Sequence, residues 1–289
     1  MKRILFVIPP LSSFKDFYSK NQTLRMTNSS IPYGVLSLIA YINKDKKNYE
    51  AQILDCNQAT AIFFKKKVSV ANFRINLINK IKSHILKFKP QYICISALFN
   101  TNFPHLKYIS RAIKKCYPES ILLLGGGLAT NMYKTILKEM PYFDALCFGE
   151  GEIPLKKLLD NKNFLDISDI SPAWITAKSI KNNITPASEF VKDLDEIPLL
   201  NFSLLNLKTY NNRSPMLVNT SYKQSSNKKI EMSIHTSRGC PFNCVFCSNG
   251  KIHGKTIRFM SISKVKKTIE QYISKYNMNV LLIEDDNFL

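Results

Sequence analysis

Three cysteines stand within eight residues, at Cys240, Cys244 and Cys247, spaced CxxxCxxC. Thiolates are soft donors that suit iron–sulfur clusters and zinc. A cubane cluster has four irons, and three local thiolates hold three of them. The fourth iron then keeps an open position unless a distant ligand closes it. An open iron suits substrate chemistry better than electron storage. Zinc is the rival occupant. It takes four closed ligands, and His235 and His253 are near enough in sequence to complete a three-Cys, one-His set. The spacing, however, lacks zinc's usual paired CxxC form. A disulfide suits the stretch less well still, because the cysteine count, seven, is odd. The start of the chain also does not read as an export signal: the apolar run after Lys2-Arg3 stops at Pro9-Pro10, and no small-residue cleavage site follows. A reducing, cytoplasmic compartment is the expectation.

The elements that would position this loop are legible from periodicity. Residues 2–159 alternate short apolar runs with amphipathic stretches. Strands are expected at 4–8, 51–54, 92–96, 121–124 and 145–148. Helices are expected at 33–43, 75–88, 103–116, 131–140 and 152–159. In the helix at 75–88, Ile75, Ile78, Ile81 and Ile85 are read as the apolar face. This βαβα order argues a doubly wound parallel sheet, in which ligands lie beyond the carboxyl ends of the strands. Those ends carry Pro9-Pro10, Asp55, Ser96-Ala97-Leu98, Gly125-Gly126-Gly127 and Gly149-Glu150-Gly151-Glu152. Glycines there admit a large flat ligand close to the backbone, because no Cβ intervenes. A nucleotide-binding sheet competes, with Asp55 as a ribose ligand, but no GxGxxG follows the first strand. Cys56, Cys94, Cys116 and Cys147 sit on apolar segments without paired spacing and read as small buried residues.

Two stretches then resemble one family. Arg238-Gly239 before the cysteines and Phe246 before the last of them match the cluster loop of the radical S-adenosylmethionine enzymes. Pro32-Tyr33-Gly34-Val35-Leu36, Gly125-Gly126-Gly127-Leu128-Ala129-Thr130 and Phe148-Gly149-Glu150-Gly151-Glu152 resemble blocks of the cobalamin-binding domain found in front of many such cores. The resemblance implies a Rossmann-like cobalamin-binding domain followed by the first units of a partial β/α barrel. It implies a 4Fe–4S cluster on Cys240, Cys244 and Cys247, which cleaves S-adenosylmethionine to a 5′-deoxyadenosyl radical. Phe246 would flank the adenine, and Glu284 with Asp285 or Asp286 would approach the methionine amine. Cobalamin would lie over Ser96, Leu98, Gly125, Gly126, Gly127, Gly149, Glu150, Gly151 and Glu152. The loop after the first strand, Pro9-Pro10-Leu11-Ser12-Ser13-Phe14, departs from the Asp-x-His-x-x-Gly pattern. That departure implies cobalt without a protein histidine, or lost binding. Methyl transfer to an unactivated carbon is the chemistry the resemblance implies first. A non-catalytic cobalamin-binding module and a methylthiotransferase-like enzyme acting on transfer RNA are the alternatives. An outside reductant such as flavodoxin or ferredoxin is implied, with a small-molecule or unknown substrate.

Between these parts, residues 160–230 are richer in Asn, Ser, Asp and Pro. They read as a connector in which 173–176 and 184–185 form a hairpin about Lys181-Asn182-Asn183. The stretch 193–210 reads as an irregular tether and 222–229 as a flexible polar loop. The second domain is expected from residue 231: a strand into the cysteine loop, a helix at 263–276 with Val265, Ile269, Tyr272 and Ile273 inward, and a strand at 279–283. Only 59 residues run from Glu231 to Leu289, too few for a whole barrel of about 250 residues, so a truncated core is expected. The net charge of +20, from 41 basic and 21 acidic residues, allows a nucleic-acid partner. The lysines are nevertheless spread along the whole chain. No apolar run is long enough to span a bilayer.

Overall fold

The computed structural model describes residues 1–11, 31–45, 49–66, 68–161, 163, 165–210 and 230–288. Strand β1 (Arg3–Ile8) leads to helix α1 (Tyr33–Ile42), β2 (Glu50–Asp55), α2 (Cys56–Lys65) and α3 (Val70–Phe88). Then come β3 (Tyr92–Ser96), α4 (Phe103–Cys116), β4 (Ile121–Gly125), α5 (Gly127–Glu139), β5 (Ala145–Cys147) and α6 (Glu152–Asp160). The sheet order is β2-β1-β3-β4-β5-β6, where β6 is Trp174–Ile175. The first five strands are parallel, and β6 closes the edge antiparallel to β5.

The sheet is buried on both faces, as parallel sheets are, and alternation along the strands decides which side chain goes where. Leu5, Val7, Ile93, Ile95, Leu122 and Leu124 face α3, α4 and α5. Ile4, Phe6, Tyr92, Cys94 and Leu123 face α1 and α6. In α3 the buried ladder is Phe73, Leu77, Ile81 and Ile85, four residues apart, while Ile75 lies outside it and is exposed. Ser69 caps that helix by accepting the Asn72 amide, and Lys89 ends it in the left-handed region. Helix α5 starts four residues before the expected position, and its backbone leaves helical angles at Met132 (φ −122°, ψ 19°). The expected start thus caught only the segment beyond that kink.

The expected hairpin in the connector does not form. Trp174–Ile175 pairs with β5 instead, and α7 (Ala177–Lys181) follows at once. The reason is local: Thr176 Oγ1 accepts the Ser179 amide while Ser179 Oγ accepts the Thr176 amide, a reciprocal cap that starts a helix. Asn183, at φ 55°, turns the chain, but its arms have no ladder. Nor is 193–210 a mere tether. Val191, Leu194, Ile197, Leu200 and Phe202 fill the space between α1 and the last third of the chain. A short helix α8 (Leu207–Tyr210) follows, and the expected flexible loop at 222–229 lies outside the described residues.

The last third opens with β7 (Glu231–Ile234) and β8 (Ser237–Arg238), then α9 (Asn249–Ile252) and β9 (Arg258–Phe259). It ends with α10 (Ile262–Tyr276) and β10 (Val280–Ile283), and β10 pairs parallel with β7. β7, α10 and β10 therefore make one βαβ unit. Ser261 caps α10 by accepting the Lys264 amide, and Asn277 ends it at φ 54°. Tyr272 is buried as expected, together with Thr268 and Tyr276, whereas Ile273 points outward and is exposed.

Candidate functional site

The cysteine segment leaves β8 through Gly239, at φ 98°. A Cβ there would stand 2.3 Å from the Thr256 carbonyl oxygen, so only glycine passes this point unstrained. The Cys240 amide donates to the Gly254 carbonyl at 3.2 Å, the Cys247 amide to the Cys244 carbonyl at 3.1 Å, and the Asn249 amide to Cys247 Sγ at 3.4 Å. Cys240 is half-buried, and Cys244 and Cys247 are exposed. Phe242, Val245 and Phe246 beside them are exposed as well, Phe246 at 90%. Among the described residues no three His, Cys, Asp or Glu side chains are gathered in metal-holding geometry. The thiols are thus correct in kind and unburied on a loop fixed at both ends, and a bound cluster would draw them together. The other cysteines offer nothing comparable. Cys56, Cys94 and Cys147 are buried as expected, whereas Cys116 is only half-buried, and burial pushes the Cys94 thiol up to about 12.

Two carboxylates on the turn after β5 hold that loop. Glu150 is buried, and its Oε1 accepts from Arg258 Nη2 at 2.7 Å and lies 2.9 Å from His253 Nδ1. Its Oε2 accepts from Arg258 Nη1 at 3.0 Å and stands 3.5 Å from Arg238 Nη1. Glu152 Oε1 accepts from Arg238 Nη1 at 2.9 Å and from Ser37 Oγ of α1 at 2.7 Å, and Arg238 Nη2 donates to Ser37 Oγ at 3.0 Å. Arg258 also donates to the carbonyls of Val191 and His253 and lies over the Phe190 ring. Burial alone would raise the Glu150 carboxyl. The hydrogen bonds from His253 and Arg258 and the charge of Arg238 outweigh it and hold the carboxyl down at about 2. Arg238 is held above its ordinary value: burial opposes its charge, and Glu152 and Glu150 overcome that opposition. Each buried charge thus has a partner and hydrogen bonds, the condition under which burial of ions is tolerated.

This changes the place of the expected ligand residues. Glu150 and Glu152 are turned to the arginines that bracket the cysteine loop. Several glycines admit protein, not open space. A Cβ on Gly126 (φ 95°) would meet the Ala97 carbonyl oxygen at 2.5 Å, and one on Gly127 the Leu98 oxygen at 3.0 Å and Ile252 Cδ1 at 3.3 Å. Gly149 (φ 77°) makes room for Ser188, and Gly151 for Leu38. The turns after β4 and β5 therefore receive α9, the helix that follows the cysteines. Beside them, at the carboxyl end of β3, Ser96 is half-buried, and Leu98 and Phe99 are exposed. That apolar rim, with Gly125 free of close neighbours, fits a flat apolar-faced group such as a corrin. Pro9 and Pro10 are fixed by Asn102, whose amide donates to both carbonyls. Ser12–Phe14 of that loop lies outside the described residues.

At the far mouth, Asp285 is also occupied. Its Oδ1 accepts the amides of Thr236 at 2.6 Å and Ser237 at 3.1 Å, and its Oδ2 accepts the Thr236 hydroxyl. Glu284 stands 3.5 Å from His235 Nε2, and that partner holds its carboxyl below the usual range. The His235 ring lies 4.5 Å from that of Tyr33. Asp286 is exposed. Of the three acids, Glu284 and Asp286 are the ones not tied to backbone amides in the turn. Arg258 and Ser37 were not read as site residues, His253 was weighed only as a zinc ligand, and Arg238 only as part of the cluster-loop resemblance. The signal for Arg238 was its place two residues before Cys240; Arg258 and Ser37 carried none.

The chain is similar to several known proteins. A model of the B12 binding domain matches residues 24–159. An uncharacterized methyltransferase of Pyrococcus horikoshii is 29% identical over 210 residues, covering 71% of this chain and 41% of the relative. The cobalamin-dependent radical SAM methyltransferase TokK of Streptomyces tokunonensis is 21% identical over 210 residues, covering 69% and 28%. The radical S-adenosylmethionine methyltransferase TsrM of Kitasatospora setae, solved with cobalamin and a [4Fe-4S] cluster bound, superposes with a TM-score of 0.62 at 15% identity. That superposition covers all of this chain and 50% of TsrM, and it speaks to the fold. The chain spans less than half the length of the curated relatives it matches. Among the described residues no helix is long and apolar enough to cross a membrane.

Proposed function

We propose that the chain, as a member of the cobalamin-binding radical S-adenosylmethionine family, works in methyl transfer to an unactivated carbon of a small-molecule substrate. In this reading a 4Fe–4S cluster would supply the electron that splits S-adenosylmethionine into methionine and a 5′-deoxyadenosyl radical, and a corrinoid would carry the methyl group. The observation that carries the reading is the seating of the cysteine loop. Gly239, Arg238 and α9 hold it against the turns after β4 and β5, beside the rim of Leu98 and Phe99. Both cofactors would then share one end of the sheet.

Each residue has a task in this reading. Cys240, Cys244 and Cys247 ligate the cluster, and three ligands leave one iron for the amino and carboxylate groups of S-adenosylmethionine. Phe246, 90% exposed, would cover the adenine. Glu284 accepts from the methionine amine while His235 keeps it charged. Asp285 orders the turn, so the amine contact falls to Glu284 and Asp286. A corrin would lie on Leu98 and Ser96 beside Gly125, and the sequence of the loop after β1 offers it no histidine. Reducing equivalents come from a flavodoxin- or ferredoxin-like donor in a reducing, cytoplasmic setting. The isolated burial of Cys56, Cys94 and Cys147 argues against the second cluster that a methylthiotransferase would need.

The test is anaerobic reconstitution of the chain with iron and sulfide, with and without hydroxocobalamin. The expected result is about four irons and four sulfides per chain, a changed electron paramagnetic resonance spectrum of the reduced cluster on adding S-adenosylmethionine, and bound cobalamin. Cys244→Ala should lose the iron. Stoichiometric zinc without sulfide overturns the cluster assignment. Absence of cobalamin binding by the folded chain overturns the corrinoid assignment.

A further inference from the structure

The basic residues are spread along the chain, but the acidic ones are not. Between Asp55 and Glu119 no Asp or Glu occurs, while twelve of the 41 Lys and Arg residues lie there. A general enrichment in lysine adds cations everywhere; it does not empty one stretch of carboxylates. The fold gathers this stretch on one side. α2, α3 and α4 all come from it, and α3 and α4 cover the same face of the six-stranded sheet. The two helices meet, with Arg74 of α3 over the Tyr108 ring of α4 at 5.3 Å.

On this face the cations lack acidic partners. Lys80, Lys82 and Lys87 of α3 and Lys107, Arg111 and Lys115 of α4 reach solvent and, among the described residues, form no ion pair. Only Lys114 of these two helices meets a carboxylate there, that of Asp144 at 2.7 Å. On the α1 and α6 side, by contrast, Lys44, Lys156 and Lys157 are each paired with an acid. Burial, and after it the charges of Lys80 and Lys87, hold the His84 imidazole below its ordinary value, the mark of a positive field. Lys107, Arg111 and Lys115 follow at four-residue steps, one line along α4. Two aliphatic side chains stand in the same field. Ile75 and Leu86 are 58% and 54% exposed. They are three helical turns apart, so they share one outward line of α3 with Lys82.

We propose that the face formed by α3 and α4 binds the surface of an anionic lipid bilayer, its cations against the headgroup phosphates and Ile75 and Leu86 dipping below them. The partner must be anionic, because the face offers no negative charge of its own beyond the pair at Lys114. A polynucleotide would leave Ile75 and Leu86 without a contact, and α3 and α4 carry no exposed Phe, Tyr or Trp on which a base could stack. A lipid surface takes both kinds of side chain: phosphates attract the cations, and the acyl boundary receives the aliphatic groups. The attachment is peripheral and stands apart from the cofactor chemistry at the carboxyl ends of the strands.

The experiment is co-sedimentation of the full chain with vesicles of phosphatidylcholine alone, and of equal parts phosphatidylcholine and phosphatidylglycerol, at low and high salt. Binding should be confined to the anionic vesicles and should weaken with salt. Each cation at such a surface contributes a factor of about five. Lys87→Gln with Arg111→Gln should therefore weaken binding roughly twentyfold. The matched pair Lys266→Gln with Lys267→Gln, exposed on α10, should leave it nearly unchanged. Ile75→Ser with Leu86→Ser should weaken vesicle binding and leave retention of an RNA oligonucleotide as it was. A second readout is independent of the charge variants. Trp174 is the only tryptophan of the chain and is buried on the α1 and α6 side, so Ile75→Trp adds one emitter on the basic face. Brominated acyl chains in the anionic vesicles should quench that emitter and leave the unmodified chain's emission as it was. Absence of quenching, or equal losses from the two charge pairs, overturns the proposal. So does tighter binding of RNA than of anionic vesicles with the Ile75 and Leu86 substitutions without effect, a result that assigns the face to nucleic acid.

Discussion

Asp285, two residues past the end of β10, closes over Thr236, two residues past the end of β7: its Oδ1 accepts the Thr236 amide at 2.6 Å and its Oδ2 the Thr236 hydroxyl. The second Oδ1 contact is the Ser237 amide. Neither amide is in the β7–β10 ladder, so the carboxylate satisfies backbone donors that strand pairing leaves over. The chain is thereby turned toward Arg238 and the cysteines.

Asp285→Ala should cost about 2–3 kcal/mol, the range for hydrogen bonds to a charged group together with the stranded donors. Asp285→Asn, which can still accept, should cost less. Denaturant unfolding gives the totals, and amide exchange should show the loss concentrated at 231–240. Equal costs for both substitutions would show that charge and not acceptance matters there.

The glycines divide into those where a Cβ would collide and those, Gly34 among them, where it would not. Gly126→Ala puts a Cβ into the Ala97 carbonyl from a left-handed backbone, and should cost on the order of 1–3 kcal/mol or more. Gly34, in α1, has nothing within 4 Å of the same position. Gly34→Ala should be neutral or stabilising by up to about 1 kcal/mol, because alanine is the better helix former. Thermal unfolding of both variants checks the contrast. A large cost at Gly34 would mean that its neighbourhood is occupied in the folded protein.

How far the sequence carried the fold depends on the range of the interactions. β1 to β5 were legible because each is a short apolar run bounded by polar residues, a signal carried within a few positions. The thiols of the cysteine loop were legible for the same reason. The connector was misread because the Thr176–Ser179 cap and the pairing of Trp174–Ile175 with Cys147 and Leu146 are decided by neighbours, one local and one across the sheet. The roles of Glu150 and Glu152 were hidden for a further reason. Their partners Arg238 and Arg258 lie 86 to 108 residues away, and no pattern in the turn itself distinguishes a carboxylate aimed at a ligand from one aimed at a distant arginine.

That pairing has a pH signature. The Glu150 carboxyl titrates at about 2 in the folded chain, against an ordinary 4.5. A carboxyl depressed on folding contributes its stability in full above the unfolded value and loses it as pH falls through the folded one. The groups that face it, Arg238, Arg258 and His253, are all basic, so nothing nearby reverses the sign. The Glu150 contribution should therefore be complete above about pH 5 and fade between 4.5 and 2. Denaturation midpoints of the unmodified chain and Glu150→Gln, taken from pH 7 down, should converge across that window. A constant gap would remove the charge from the account.

The last expectation concerns the connector. Phe202 is buried, and its ring meets Tyr272 edge-on at 5.1 Å and Tyr276 at 5.3 Å. Its amide donates to the Tyr276 hydroxyl at 3.1 Å, and the Tyr272 hydroxyl donates to the Ser233 carbonyl of β7 at 3.2 Å. One connector residue thus stands against both tyrosines of α10, and through Tyr272 it reaches β7. Phe202→Ala removes a ring from a filled site, which costs about 3–5 kcal/mol when the surroundings cannot collapse. The loss should be local in origin. Among the described residues β7 and β10 pair only with each other, and the connector and α1 supply much of the apolar contact of this unit. The expected result is unfolding that begins in 231–283 at lower denaturant, while the six-stranded sheet holds. Hydrogen exchange read by mass spectrometry separates the two regions. Concerted loss of protection in both, at one reduced midpoint, would show instead that the sheet and the cysteine-bearing unit fold as a single cooperative body.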